Sequence, residues 1–152
     1  MKSTTSHSLI ETENLAKEWL SKIVAGANDA ATIVALNGQL GSGKTTFVQA
    51  VARELGIVAN VTSPTFVIMK KYKLGGGKSA GVTHFKTLIH IDAYRLESGD
   101  DLSALEFADI TADPGNLILI EWADNVKGGL PADIEEIDFE YVSENERKIS
   151  FK

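Results

Sequence analysis

The stretch "NGQLGSGKTTF", Asn37 to Phe47, decides how the rest of this chain is read. Residues Gly38 to Thr45 fit the pattern GxxxxGK[ST] in full. Each part of that pattern has a physical purpose. The glycines let successive backbone N–H groups turn inward without a Cβ in the way, and a helix starting just after them turns its positive end toward the same anion. Lys44 can reach the β- and γ-phosphates of a nucleotide, and the Thr45 hydroxyl can sit on Mg²⁺. Upstream, "ATIVALN" (Ala31–Asn37) is a β-branched apolar run of the kind buried on both faces of a sheet. Downstream, apolar spacing from Lys44 to Leu55 is helical, with Gly56 as a stop signal. Strand, glycine loop and helix in that order make this a phosphate-binding loop, with Gly41, Ser42, Gly43, Lys44, Thr45 and Thr46 as its nucleotide contacts.

Such a loop needs a carboxylate to hold the metal, usually at the end of an apolar strand. Two are offered: "LIHID" ends on Asp92 and "LILIE" on Glu121. In an open α/β sheet both surface at the carboxyl edge, where ligands bind. The residues alone do not say which acid holds Mg²⁺ and which positions water. Trp122 is read either as core or as a surface near the site. Beyond Asp92, Tyr94 and Arg95 are read as packing or site, with Arg95 able to pair with Asp92 or Glu97.

Elsewhere the pattern predicts a strand at "SLI" and a helix in "ETENLAKEWLSKIVAGA", capped by Thr12 and stopped by Gly26, with Trp19 in the core. Thr65–Tyr72 and Phe85–Asp92 read as strands joined by a glycine-rich hairpin tip at Gly75–Gly81. "DDLSALEFAD" reads as a short helix and "NLILIEW" as a buried strand. "IEEIDFEYVSENERKISF" reads as a hairpin turning near Glu144–Asn145. The fold class expected is α/β: a three-layer sandwich of the P-loop NTPase kind, with a mixed central sheet flanked by helices, in one domain over residues 1–152.

Composition narrows the partners. Apolar residues make up 43% and charged residues 24%, an ordinary globular balance. The absence of cysteine removes disulfides, thiol nucleophiles and cysteine-based zinc sites from consideration. "MKSTTSHSLIETENLAKEWL" holds no uninterrupted apolar core of a signal peptide, and no run approaches membrane-spanning length, so a cytoplasmic location is expected. With 15 basic against 21 acidic residues the formal charge is −6, which argues against strong direct nucleic-acid binding. The basic cluster Lys70, Lys71 and Lys73, with Lys78 and Lys86 nearby, reads as a solvated hairpin face or a docking patch for an acidic partner.

Four blocks in order, "GQLGSGKTTF", "VTSPTF", "HIDAYRL" and "LIEWAD", make the chain from about residue 9 to 151 resemble the bacterial ATPases of tRNA threonylcarbamoyladenosine biosynthesis, the TsaE (YjeE) type. Two departures are visible: Gln39 stands where Asp is common, and the glycine-rich stretch Leu74–His84 is long. The resemblance implies ATP and Mg²⁺ as cofactors, with Thr45 and Glu121 as metal ligands and Lys44 in the phosphate role. It puts Asp92 where the family has an acid important for hydrolysis. Thr62, Ser63, Pro64, Thr65 and Phe66 form a switch-like segment near the γ-phosphate, Trp122 lies beside the nucleotide, and Arg147 near the base. It also implies TsaB and TsaD proteins as partners, TsaD transferring the threonylcarbamoyl group to tRNAs that read codons beginning with A. The readings that compete with an ATPase subunit are a small kinase passing the γ-phosphate to an acceptor, and a nucleotide-sensing module without turnover.

Overall fold

The computed structural model describes residues 2–26, 28–75 and 83–152. The expected hairpin tip, Lys78 included, lies outside the described residues apart from Gly75. Seven strands form one sheet: β1 (Lys2–Ser6), β2 (Thr32–Gly38), β3 (Met69–Lys73), β4 (Thr87–Asp92), β5 (Asn116–Glu121), β6 (Glu135–Tyr141) and β7 (Arg147–Phe151). Their order is β1-β7-β6-β2-β5-β4-β3. The four central strands β6, β2, β5 and β4 run parallel, while β1, β7 and β3 pair antiparallel at the two sides.

The sequence dictates this arrangement through its continuous apolar runs. β5 is buried at all six positions, and β2 at its first five, because helices cover both faces of the sheet. Val34, Leu36, Leu117 and Leu119 share one core with helix α1 (Leu9–Val24) and helix α2 (Lys44–Glu54), through Ala16, Trp19, Leu20, Phe47, Val48 and Val51. Ile33, Ala35, Ile118 and Ile120 face the other way. There they meet helix α3 (Phe107–Ala112) and two 3₁₀ segments, Gly99–Leu105 and Ala123–Gly129, through Leu102, Phe107, Ile110 and Val126. Each fully buried Leu or Ile contributes about 1.5–3 kcal/mol relative to exposure. The result is the expected three-layer sandwich around a mixed sheet, with α2 opening where β2 ends.

Several local expectations are corrected. The first strand is the polar "KSTTS", paired to β7 with Lys2 opposite Phe151 and Ser6 opposite Arg147, not "SLI". Leu9 and Ile10 instead open α1, whose cap is Ser8, in extended backbone and accepting from the Glu11 amide. Thr12 sits a turn inside, its hydroxyl 2.8 Å from that of Ser6. The run Thr65–Tyr72 is a strand only from Met69: Val67 and Ile68 both donate to the Pro64 carbonyl, and Ile68 takes a φ of 67°. The helix expected at Asp100–Asp109 is two pieces, broken at Glu106 with φ 54°.

Candidate functional site

The carboxyl ends of β2, β4 and β5 meet at one side of the sheet, the position where α/β sheets bind ligands. A cleft of about 610 Å³ opens there, lined among others by Gly41 to Thr46, Ser63, Thr65, Asp92, Glu121, Trp122 and Arg147. The glycine loop forms its floor. A Cβ on Gly38 would stand 2.4 Å from the Phe139 carbonyl oxygen and 2.7 Å from Ser42 Oγ, so only glycine lets the loop turn so close to β6. Gly43 caps α2 with a φ of 105°, in the left-handed region that glycine enters freely.

Lys44 is nearly buried, and its ammonium donates to the carbonyls of Gly38 at 2.6 Å and Gln39 at 3.0 Å. It also lies 4.2 Å from the centroid of the Trp122 ring. Burial pulls the Lys44 pKa down from its ordinary value, while the charges of Glu121 and Asp92 pull it back up. Trp122 is held in the left-handed region at φ 57°, its amide bound to the Leu36 carbonyl and its ring against Tyr94 at 5.1 Å. The tryptophan left open between core and site therefore lines the cleft.

The two acids are direct cross-strand neighbours, Asp92 opposite Glu121. The Thr45 hydroxyl donates to Glu121 at 2.8 Å and 3.1 Å to its two oxygens. Behind it, His90 Nε2 lies 2.8 Å from Glu121 Oε1. Asp92 Oδ2 accepts from the hydroxyls of Ser63 at 2.9 Å and Thr65 at 2.8 Å, and Oδ1 accepts from the Tyr94 amide at 2.9 Å. Thus the 62–66 segment is tied to Asp92 by two of its residues. Thr62, Pro64 and Phe66 do not line the cleft: Thr62 accepts from Lys70, and the exposed Phe66 ring carries Arg95 at 4.6 Å. Arg95 makes no ion pair with Asp92 or Glu97 among the described residues. Arg147 lines the cleft beside Gly43 while donating to the carbonyls of Ser143, Glu144 and Glu146, with its guanidinium over Tyr141.

The strand-end loops are cross-tied. Asn125 donates to the carbonyls of Ala93 at 3.0 Å and Tyr94 at 3.4 Å. Gly99 and Gly129 touch backbone to backbone, so that a Cβ on Gly99 would stand 2.1 Å from the Gly129 nitrogen.

The donor set suits a hard cation beside phosphate. Ser42 Oγ is buried without a hydrogen-bond partner among the described residues, in a loop shaped for anion contacts. No group of three or more acids, histidines or cysteines able to hold a metal occurs among the described residues. A hydroxyl and one carboxylate are a fit for Mg²⁺, which keeps waters and takes the rest of its ligands from a substrate's phosphates. His90 opens the block "HIDAYRL", yet sequence reasoning gave it no role at the site. Its signal was alternation: two positions before Asp92 on the same strand, it shares that acid's face. Among the described residues no helix is long and apolar enough to cross a membrane.

Comparison with known proteins places this geometry among relatives. The family model described as threonylcarbamoyl adenosine biosynthesis protein TsaE matches residues 6–149. The chain is 37% identical over 132 residues to the tRNA threonylcarbamoyladenosine biosynthesis protein TsaE of Rickettsia felis, covering 86% of this chain and 71% of that protein. Against the protein of the same description from Bacillus subtilis it is 33% identical over 133 residues, covering 87% of this chain and 76% of the relative. The crystal structure of Bacillus subtilis YdiB superposes with a TM-score of 0.72 at 28% identity, over 99% of this chain and 83% of that one.

Proposed function

This chain belongs to the TsaE family of threonylcarbamoyladenosine biosynthesis proteins, and from that premise we propose that it is a Mg²⁺-dependent ATP hydrolase. It serves the complex that forms N6-threonylcarbamoyladenosine in tRNAs reading codons that begin with A, with TsaB and TsaD proteins as its partners. Hydrolysis drives or resets that complex, and this chain does not itself modify the tRNA. The observation that carries the reading is the contact of Thr45 with Glu121 at the mouth of a glycine loop that fits GxxxxGK[ST] in full.

In this reading the loop amides from Gly41 to Thr46 hold the phosphates. Lys44 leaves the Gly38 and Gln39 carbonyls for the β- and γ-phosphate oxygens, which trades two neutral acceptors for charged ones. Thr45 and Glu121 would hold Mg²⁺, which when bound would supply positive charge against that of the phosphates. Asp92 orients the attacking water: the water oxygen bonds to the γ-phosphorus as the bond to the β-bridging oxygen breaks, the leaving oxygen keeps the electron pair of that bond as ADP, and the water's protons stay on the released phosphate. The Ser63 and Thr65 hydroxyls already occupy Asp92 Oδ2, so a water taken at that oxygen would displace the 62–66 segment, which acts as the switch. Trp122 and Arg147 flank the nucleotide as cleft walls.

Phosphate release, followed with the protein alone and then with TsaB and TsaD proteins added, tests the proposal. Free phosphate as product supports a hydrolase. A labelled acceptor would instead mean a kinase, and ATP binding without release even with partners would mean a sensor.

A further inference from the structure

His90 is fully buried at the heart of the sheet, yet it reaches a group at the site. Its Nε2 lies 2.8 Å from Glu121 Oε1, and its Nδ1 has no hydrogen-bond partner among the described residues. Glu121 already receives the Thr45 hydroxyl, and its charge acts on the ammonium of Lys44. An ionised carboxylate only accepts, so the imidazole nitrogen facing it must donate. The opposite tautomer would set a lone pair against Oε1 and leave an N–H stranded in the core, two penalties in place of one.

The geometry points to His90 as the positioning residue for Glu121: its Nε2–H fixes Oε1, the oxygen that also makes the shorter Thr45 contact, and so sets the rotation of the carboxylate that would hold Mg²⁺. This rests on the assignment of Glu121 as the metal-holding acid. The register makes the arrangement rigid. His90 pairs with Leu119 and Asp92 with Glu121, so the histidine sits diagonally behind Glu121 on the adjacent strand, on the same face as α2. A glutamate side chain has three rotatable bonds, and a nearly buried one held only by a threonine hydroxyl would have that hydroxyl as its sole guide. A second donor from a locked strand defines one orientation before metal arrives. Removing outer partners of this kind commonly costs about 10–100-fold in metal affinity.

Calorimetry of ADP binding with and without Mg²⁺ in the wild-type chain, His90→Leu and His90→Gln is the test. A glutamine amide can place an N–H where Nε2 stands. His90→Leu is expected to lose about tenfold or more of the affinity gained from Mg²⁺, with Mg²⁺-free ADP binding unchanged, and His90→Gln to recover most of that loss. If Mg²⁺ does not tighten ADP binding in the wild type, the metal reading of Glu121 fails and this assignment with it. If it does, but both variants keep the full gain, His90 alone is overturned and the site stands. An equal loss in both variants assigns His90 to packing and also overturns it. Nitrogen-15 NMR of the imidazole in the unsubstituted chain decides the matter without any variant: a proton on Nε2 is expected, and a bare Nε2 rejects the proposal.

Discussion

Lys44 and Thr45 stand side by side in the chain but should fail in different ways when truncated. Lys44→Ala removes the point cation for the β- and γ-phosphates, so nucleotide binding should weaken severely and hydrolysis should be lost. Thr45→Ala removes a metal-directed hydroxyl, so Mg²⁺-free binding should persist while Mg²⁺-dependent turnover drops. Calorimetry with and without Mg²⁺ separates the two, and unchanged Mg²⁺-ATP binding in both variants would refute the phosphate cradle. The acids divide similarly. Glu121→Gln should lose the Mg²⁺ enhancement of binding, because its oxygens already meet the Thr45 hydroxyl. Asp92→Asn should bind Mg²⁺-ATP almost normally but turn over about 10²–10⁴-fold more slowly, the range over which a positioned catalytic side chain contributes. Swapped outcomes would show that the roles are reversed.

Between the strand ends, position is set by backbone more than by side chains. The loops after β4 and β5 carry Asp92 and Glu121 at their roots and meet through Gly99 and Gly129. Gly99→Ala must push those loops apart, since its Cβ would overlap the Gly129 backbone. We expect a loss of about 1–3 kcal/mol in denaturant unfolding, together with reduced turnover at unchanged Mg²⁺-free nucleotide affinity. Full stability in that variant would show that the contact is dispensable. Elements also explain what was legible beforehand. β2, the glycine loop, α2 and β5 were readable because each combines one strong period with a clear stop signal, and the two acids followed from strands that end on them. β1 was missed because "KSTTS" has no apolar face to announce it. The segment from Thr65 to Ile68 read as strand because β-branched and aromatic residues suit one. Pro64 instead gathers two amides on its carbonyl, and tertiary contacts with Asp92 override propensity. The role of His90 was not legible, because its partner lies 31 residues away.

Across the whole molecule, positive charge is scarce where phosphoryl transfer needs it. The chain has three arginines, and each is engaged: Arg53 with Glu13, Arg95 over Phe66, and Arg147 on the carbonyls of its own turn. None is a free cation opposite Lys44. The isolated protein should therefore hydrolyse ATP slowly, below the about 1–100 s⁻¹ typical of kinases. Added TsaB and TsaD proteins should raise phosphate release several-fold or more in proportion to complex formed. Fast turnover by the lone chain, indifferent to partners, would contradict this. The sheet itself has a consequence for how the molecule is made. β1 leaves a ribosome long before β7, yet each is the other's neighbour, Lys2 facing Phe151. At about 5–20 residues per second the two are separated by roughly 7–30 seconds of synthesis. Through that interval β1 waits in water without its partner, which suits a segment of one lysine and four hydroxyl side chains. The plainness that concealed β1 from pattern reading also lets it wait unpaired without sticking to a neighbour's exposed edge.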